Sequence, residues 1–267
     1  MTVALTYALP MYRAKDIGWL ALESLCRQEN IDFDWELIIL EEPQQSMGES
    51  KVFEYQNRLE QIGCVRLEYV ALPAWIPLSQ KWVNMAKLAD SEGFLLAGCD
   101  DYAPPNRLSE TKAIFDAGAE WAHTPVGLFY DIANDNFGVF DFYSQSSHPC
   151  GLDKAGRTDI LKAAFPAKAT RASGVDGWVY DQVVNLLGRT PDIHVNKSVD
   201  WKRGLFTDGL NNISSKRRRL YSENPRPPFR HVKPHEPQTL EAILPSELAI
   251  KLRAARCSAL ARKEFIK

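Results

Sequence analysis

Asp100 and Asp101 follow an apolar run, Phe94–Ala97, across the pair Gly98-Cys99. Carboxylates at a strand end can hold a hard divalent cation such as Mg²⁺ or Mn²⁺, which in turn neutralises phosphate groups. Taken alone, adjacent acids also suit an ordinary solvated loop. A second pair, Glu41-Glu42, closes the run Trp35–Leu40 and offers hydrogen-bond acceptors. Missing motifs narrow the field further. The chain has no G-x-x-x-x-G-K-[ST], no G-x-G-x-x-G and no G-x-S-x-G. That argues against a P-loop kinase, a standard dinucleotide enzyme and an α/β-hydrolase. The five histidines (His123, His148, His194, His231, His235) lack metal-ligand spacing, so structural roles are expected; His148 and His194 fall where they could face a cleft. The five cysteines form no C-x-x-C pair, which points to buried free thiols rather than a disulfide framework or zinc knuckle.

The elements that must carry these acids alternate in type. Val3–Leu9, Trp35–Leu40, Val65–Val70 and Phe94–Ala97 read as strands. Asp16–Gln28, Lys51–Ile62 and Leu78–Ala89 between them read as helices. Such alternation implies βαβ units and a mainly parallel sheet flanked by helices, an α/β fold. Ligands in such sheets bind beyond the carboxyl ends of the strands, which here carry Pro10–Tyr12, Glu41/Glu42 and Asp100/Asp101. Glu120–Cys150 is aromatic and turn-rich, with a strand expected over Phe137–Tyr143 and a mixed sheet edge. A helix is expected over Val175–Leu187, a Pro-rich extended segment over 211–245, and a last helix over Ser246–Lys263 with Leu248, Leu252, Ala255 and Ala259 on one stripe.

The chain has 267 residues, 45% hydrophobic and 25% charged, values of a folded globular protein. No apolar run approaches the ~20 residues of a membrane span, and the N-terminus has no basic leader, so a cytoplasmic protein is expected. Charge is divided unevenly. Residues 216–267 hold 13 Lys and Arg against 5 acids, and residues 1–215 hold 19 against 29. A basic tail on an acidic body either meets an anionic partner or docks on the body itself.

Four motifs, in order, resemble the inverting glycosyltransferases of family two, which have the GT-A fold. Pro10-Met11-Tyr12-Arg13 followed by Leu22-Glu23-Ser24-Leu25-Cys26-Arg27-Gln28 lies on P-T-Y-N and L-x-S-L-x-x-Q. Glu36–Glu42 lies on the apolar strand ending in two acids, and Glu92–Asp101 on E-Y-I-x-F-L-D-x-D-D. Gly174-Val175-Asp176 lies on G-E-D, with Trp178 just after it. Gly98 replaces the first acid of D-x-D, glutamates replace aspartates at 41 and 42, and Arg13 stands where asparagine is usual. The resemblance spans roughly residues 3–190.

The resemblance implies a nucleotide-diphosphate sugar donor, UDP-linked in the first instance. Pro10, Tyr12, Arg13, Glu41, Glu42 and Asp100 would bind it. Asp100 and Asp101 would hold Mn²⁺ or Mg²⁺ against the diphosphate, Asp176 would be the general base, and Trp178 and His148 would meet the acceptor. It also implies a GT-A-like unit over 1–210, with a donor half to about 110 and an acceptor half over 111–210; the basic extension covers 211–267. The cluster over residues 216–233 (Lys216–Arg219, Arg226, Arg230, Lys233) would suit nucleic acid, anionic headgroups at a membrane periphery, or the donor phosphates. The acceptor stays open: a glycan, a lipid-linked glycan or modified nucleic acid. Two other classes remain at this point, a nucleotidyltransferase and a non-catalytic nucleic-acid-binding protein that uses the tail.

Overall fold

The computed structural model describes residues 3–132, 134–141, 152–172, 174–195, 197, 199–208 and 229–261. A seven-stranded sheet lies at the centre, in the order β3-β2-β1-β4-β8-β5-β9. β1 (Val3–Met11), β2 (Trp35–Glu41), β3 (Cys64–Ala71) and β4 (Ser91–Leu96) are parallel to their neighbours. β5 (Trp121–Thr124) and β9 (Ile193–Val195) are parallel to each other. β8 (Leu152–Arg157) runs antiparallel to both β4 and β5, so its start shares a rim with their carboxyl ends. This is the mixed, mainly parallel sheet that the alternation implies.

A second sheet, which the sequence pattern did not separate, joins β10 (Phe206–Asp208), β6 (Val126–Asp131), β7 (Asn136–Asp141) and β11 (Phe229–Arg230). β7 is the strand expected over Phe137–Tyr143, and Phe142 and Tyr143 lie outside the described residues.

Helices follow the apolar spacing with shorter bounds. α1 covers only Trp19–Leu25, because a 3-10 turn at Ala14–Asp16 and Gly18 come first. A Cβ at Gly18 would lie 2.9 Å from that of Ala14, so only glycine lets the turn close this tightly. The helix expected over Lys51–Ile62 is two short ones, α2 (Glu49–Phe53) and α3 (Gln56–Glu60). α4 (Leu78–Leu88), α5 (Arg107–Asp116), α6 (Thr158–Ala164), α7 (Val175–Leu187) and α8 (Ser246–Ala261) complete the set. No helix among the described residues is long and apolar enough to cross a membrane.

Strand β1 extends through Pro10, past the expected end at Leu9. The Ala8 carbonyl accepts from Ala97 N–H at 3.1 Å, so alternate residues of β1 face β4. Pro10 therefore aims its missing donor at the place where β4 has already ended at Leu96, while its pairing with Leu40 on the β2 side continues. Proline is tolerated where no ladder bond is due. β1 and β4 part just there. Because the chain runs outward from β1 to β2 and β3 before returning to β4, this gap is the switch point of the sheet.

At the opposite end of the strands, fully buried Glu36 links four chain segments. It accepts from the Thr6 hydroxyl, from Arg66 Nη1 at 3.0 Å and from Asp90 N–H at 2.7 Å. α8 seals the other face. Its Leu248, Ala249 and Leu252 enter the core that holds Leu5, Leu20 and Leu25. Of the expected stripe, Ala255 packs at its edge and the side chain of Ala259 lies outside the described residues. Beside it, buried Glu23 on α1 takes two bonds from Arg58, at 3.0 and 2.9 Å, and pairs with Arg27, which also reaches Glu247 of α8 at 3.1 Å. Cys64 and Cys99 are buried free thiols as expected, Cys26 is half-buried, Cys257 is exposed, and Cys150 lies outside the described residues.

Glu36→Leu should cost about 2–4 kcal/mol in urea unfolding, because Thr6 and the Asp90 amide lose their acceptor. Glu23 should make stability depend on acid. Burial raises its pKa, but the bonds from Arg58 and Arg27 outweigh that and leave it below 4.5. Its stabilisation is then complete above the unfolded-state value and is lost as pH falls through the lower folded value. Wild type should therefore lose more stability below about pH 4.5 than Glu23→Gln does, as acid titrations of the two would show.

Candidate active site

The carboxyl ends of β1, β2 and β4 converge with the starts of α4 and β8. Tyr12 leaves β1 half-buried. The Arg13 guanidinium lies 5.1 Å from its ring centroid and Lys81 Nζ 5.8 Å from it, so two cations flank the aromatic face. Arg13 has left-handed backbone (φ 50°, ψ 41°), and its Nε is buried with no hydrogen-bond partner among the described residues.

Lys81 sits in the first half of α4 and is as buried as a leucine. Its Nζ donates to the Met11 carbonyl at 3.0 Å and pairs with Glu42 Oε1 at 2.5 Å; the side chains are 3% and 1% exposed. Glu42 Oε2 is buried with no donor against it among the described residues. A buried carboxylate oxygen left open at a crevice is a place for a ligand N–H or O–H.

Glu41 faces the other way. It accepts Met47 N–H at 2.6 Å, Gly48 N–H at 2.9 Å and the Tyr69 hydroxyl at 2.7 Å. Burial and the bond to Glu41 both push the Tyr69 phenol well above its ordinary value. Glu41 thus holds the loop that follows β2, and the same loop meets the chain after β1 through Lys15 N–H and the Gln45 carbonyl at 2.9 Å.

After β4 the chain turns sharply at Gly98. A Cβ there would lie 2.3 Å from Asp101 Oδ2 and 3.2 Å from Asp100 Oδ1. Asp101 therefore occupies the space that a side chain at position 98 would need. Two carboxylate oxygens converge over a bare Cα. Thr207 of β10 braces the turn, its N–H donating to Asp101 Oδ1 at 3.3 Å and its hydroxyl to the Asp100 carbonyl at 2.7 Å. The Cys99 thiol between them is pushed up to about 12, first by burial and then by the Asp100 charge. Among the described residues no three His, Cys, Asp or Glu side chains form a closed metal cage. One or two carboxylates suit a hard cation whose other ligands include phosphate oxygens.

Asp176 is in the first turn of α7, behind the left-handed Gly174 that caps the helix. Lys154 Nζ reaches Asp176 Oδ1 at 2.5 Å. Lys154 is the register partner of Leu96 on β4, so this ion pair brings the start of α7 to the β4 end of the sheet. The chain before α7 also covers the start of α4: Ser79 N–H donates to the Arg171 carbonyl at 3.2 Å, and Ala169 N–H to Gln80 Oε1 at 2.7 Å. Trp178 stacks on Phe165, centroids 5.7 Å apart and planes 4° from parallel. His148 lies outside the described residues. Lys81 and Lys154 were not singled out from the sequence, because neither stands in a motif; their partners are distant in the chain.

No protein-family model matches the sequence, and neither does any curated protein. Solved structures do match. The fold resembles S. aureus TarS, with a TM-score of 0.56 and 16% identity over 78% of this chain and 37% of that one. It also resembles TarS 1-349 in complex with UDP-GlcNAc, with a TM-score of 0.55 and 15% identity over 79% of this chain and 60% of that one. The mannosyltransferase PcManGT from Pyrobaculum calidifontis, in complex with GDP-Man and Mn²⁺, matches with a TM-score of 0.57 and 14% identity over 98% of this chain and 76% of that one. The chain therefore spans well under two thirds of the TarS length. At these identities the likeness establishes the fold, which is that of the GT-A-like glycosyltransferases.

Glu41→Ala should free the loop after β2 at a cost of about 2–4 kcal/mol, the loss of charge-assisted bonds to two amides. Hydrogen exchange at Met47 and Gly48 should accelerate more than at amides of β2; equal rates would mean that the loop holds itself.

Proposed function

We propose that this chain is a glycosyltransferase that moves a sugar from a nucleotide-diphosphate donor to an acceptor hydroxyl with inversion. One observation carries the reading. An aromatic ring, an open buried carboxylate oxygen, a converging acidic pair and a separate carboxylate on a helix start all adjoin the switch point of one GT-A-like sheet. The structural neighbours in complex with UDP-GlcNAc and with GDP-Man support a nucleotide-sugar donor. UDP is the first expectation for this chain.

Each residue then has a physical task. Tyr12 stacks on the base, and Arg13 offers its guanidinium to the base or phosphates. Pro10 offers no donor on the β4 side, where that ladder has stopped, and so keeps the crevice open. Glu42 accepts from the nucleoside through Oε2; Glu41 acts one step back, by fixing the loop. Asp100 and Asp101 fit Mn²⁺ or Mg²⁺, which when bound offsets the charge that builds on the departing diphosphate. Gly98 removes one acid from the usual set, and Asp101 fills its space. Asp176 takes the acceptor's proton as that oxygen attacks the anomeric carbon. The bond to the diphosphate breaks on the opposite face and the electron pair leaves with it. A single displacement of this kind inverts the centre and needs no protein nucleophile. Trp178 offers an apolar face to a sugar ring or acceptor.

A donor screen by thermal shift, with UDP-, GDP-, CMP- and dTDP-sugars and with or without Mn²⁺, tests this directly. A cognate donor at ~100 Kd should add about 2.7 kcal/mol, a rise of roughly 5–10 °C for a chain of this size. Asp100→Ala should remove the Mn²⁺-dependent part of the shift. Asp176→Asn should keep the shift yet abolish transfer. Normal turnover by both variants would reject the role assignment.

A further inference from the structure

Strand β8, the one that reverses the sheet, presents a lysine for which the motifs give no role. Lys154 is 8% exposed along its side chain, whereas Asp176, its partner at 2.5 Å, is half open to solvent at 50%. One oxygen of Asp176 is therefore tied from the protein side while the carboxylate still reaches the surface of the crevice. A helix-start aspartate without such a tether rotates between staggered χ1 wells. Here the tether comes from a strand fixed on both edges, by β4 and by β5. Strand β5 brings His123 beside Lys154. Burial and the positive charges of Lys154 and Arg107 push its imidazole down to about 4, so at neutral pH it adds no second cation to compete for the carboxylate. Among the described residues Lys154 thus pairs with Asp176 and lies beside a neutral ring.

We propose that Lys154 is a positioning residue for transfer. It clamps Oδ1 of Asp176 and leaves Oδ2 as the atom that receives the acceptor proton. The inference rests on reading Asp176 as the general base and adds that the base is held from behind by strand β8. Proton transfer converts Asp176 to a neutral acid as the new oxygen–carbon bond forms, and Lys154 then keeps its own charge and its place. Among the described residues Lys154 pairs with Asp176 and not with Tyr12, Arg13 or Glu42, so its loss acts on the chemical step.

The test compares Lys154→Met, Lys154→Gln, Lys154→Arg and Asp176→Asn with wild type. Release of UDP from UDP-glucose and UDP-N-acetylglucosamine is followed, with water or added sugar as acceptor. A misplaced base costs on the order of 10²-fold. Met and Gln variants should thus lose about 10–100-fold in kcat with the donor KM unchanged, and Arg should restore most of it. A wild-type kcat in Lys154→Met, or an equal loss with no rescue by Arg, overturns the clamp. If Asp176→Asn stays active, the base reading itself fails; if Asp176→Asn is dead and Lys154→Met is normal, only the clamp fails. A urea double-mutant cycle of Lys154→Met with Asp176→Asn needs no substrate. Coupled destabilisations support the clamp, and additive ones overturn it.

Discussion

The buried ion pair of Lys81 and Glu42 is the interaction on which the site depends. It joins α4 to the end of β2, and through the Met11 carbonyl it joins both to the end of β1. Two charges this deep are costly unless each is matched, and removing one partner from such a pair typically costs about 3–5 kcal/mol. The sheet accepts that penalty where its strands part. The return is geometric. Tyr12 is held under Lys81, Glu42 keeps one oxygen unfilled, and the three elements cannot drift apart without exposing an unmatched charge. The neighbouring carboxylate, Glu41, spends its hydrogen bonds on its own loop, so two adjacent acids hold two different parts of the structure.

How far the fold was legible follows from its period and its punctuation. The parallel half announced itself, because buried strands read as unbroken apolar runs that stop at Pro10, at Glu41 or at Gly98. The helix over Val175–Leu187 was equally plain, bracketed by Gly174 and Gly188, both left-handed. The second sheet was not. β6 and β7 form a hairpin whose partners β10 and β11 come from far down the chain, and such pairing leaves no local trace. The site was legible as acids at strand ends but not as a charge network. Position alone could not show that Glu41 turns to its loop and Glu42 to Lys81. Nor could it reveal Lys154, which becomes visible only when β8 lies reversed against β4.

The basic C-terminal segment divides in two. Residues 209–228, which hold Lys216–Arg219 and Arg226, lie outside the described residues. Beyond them the cations are largely used within the chain. Arg230 makes bonds of 2.8 and 2.6 Å to Glu236 and also meets Asp141. Arg253 pairs with Glu241, and Lys251 sits 4.2 Å from the ring centroid of Trp19. Burial lowers the Lys251 pKa despite nearby Glu23. For this part of the tail, docking on the body is the reading that the contacts support.

Arg13 carries a quieter consequence. A left-handed backbone on a residue with a side chain is strained by about 1 kcal/mol, and glycine would relieve it. The fold keeps a residue that it would be more comfortable without, at a place from which its guanidinium lies over Tyr12. Position 13 thus sets backbone ease against charge placement: the residue that would relax the turn most could not put a guanidinium beside Tyr12.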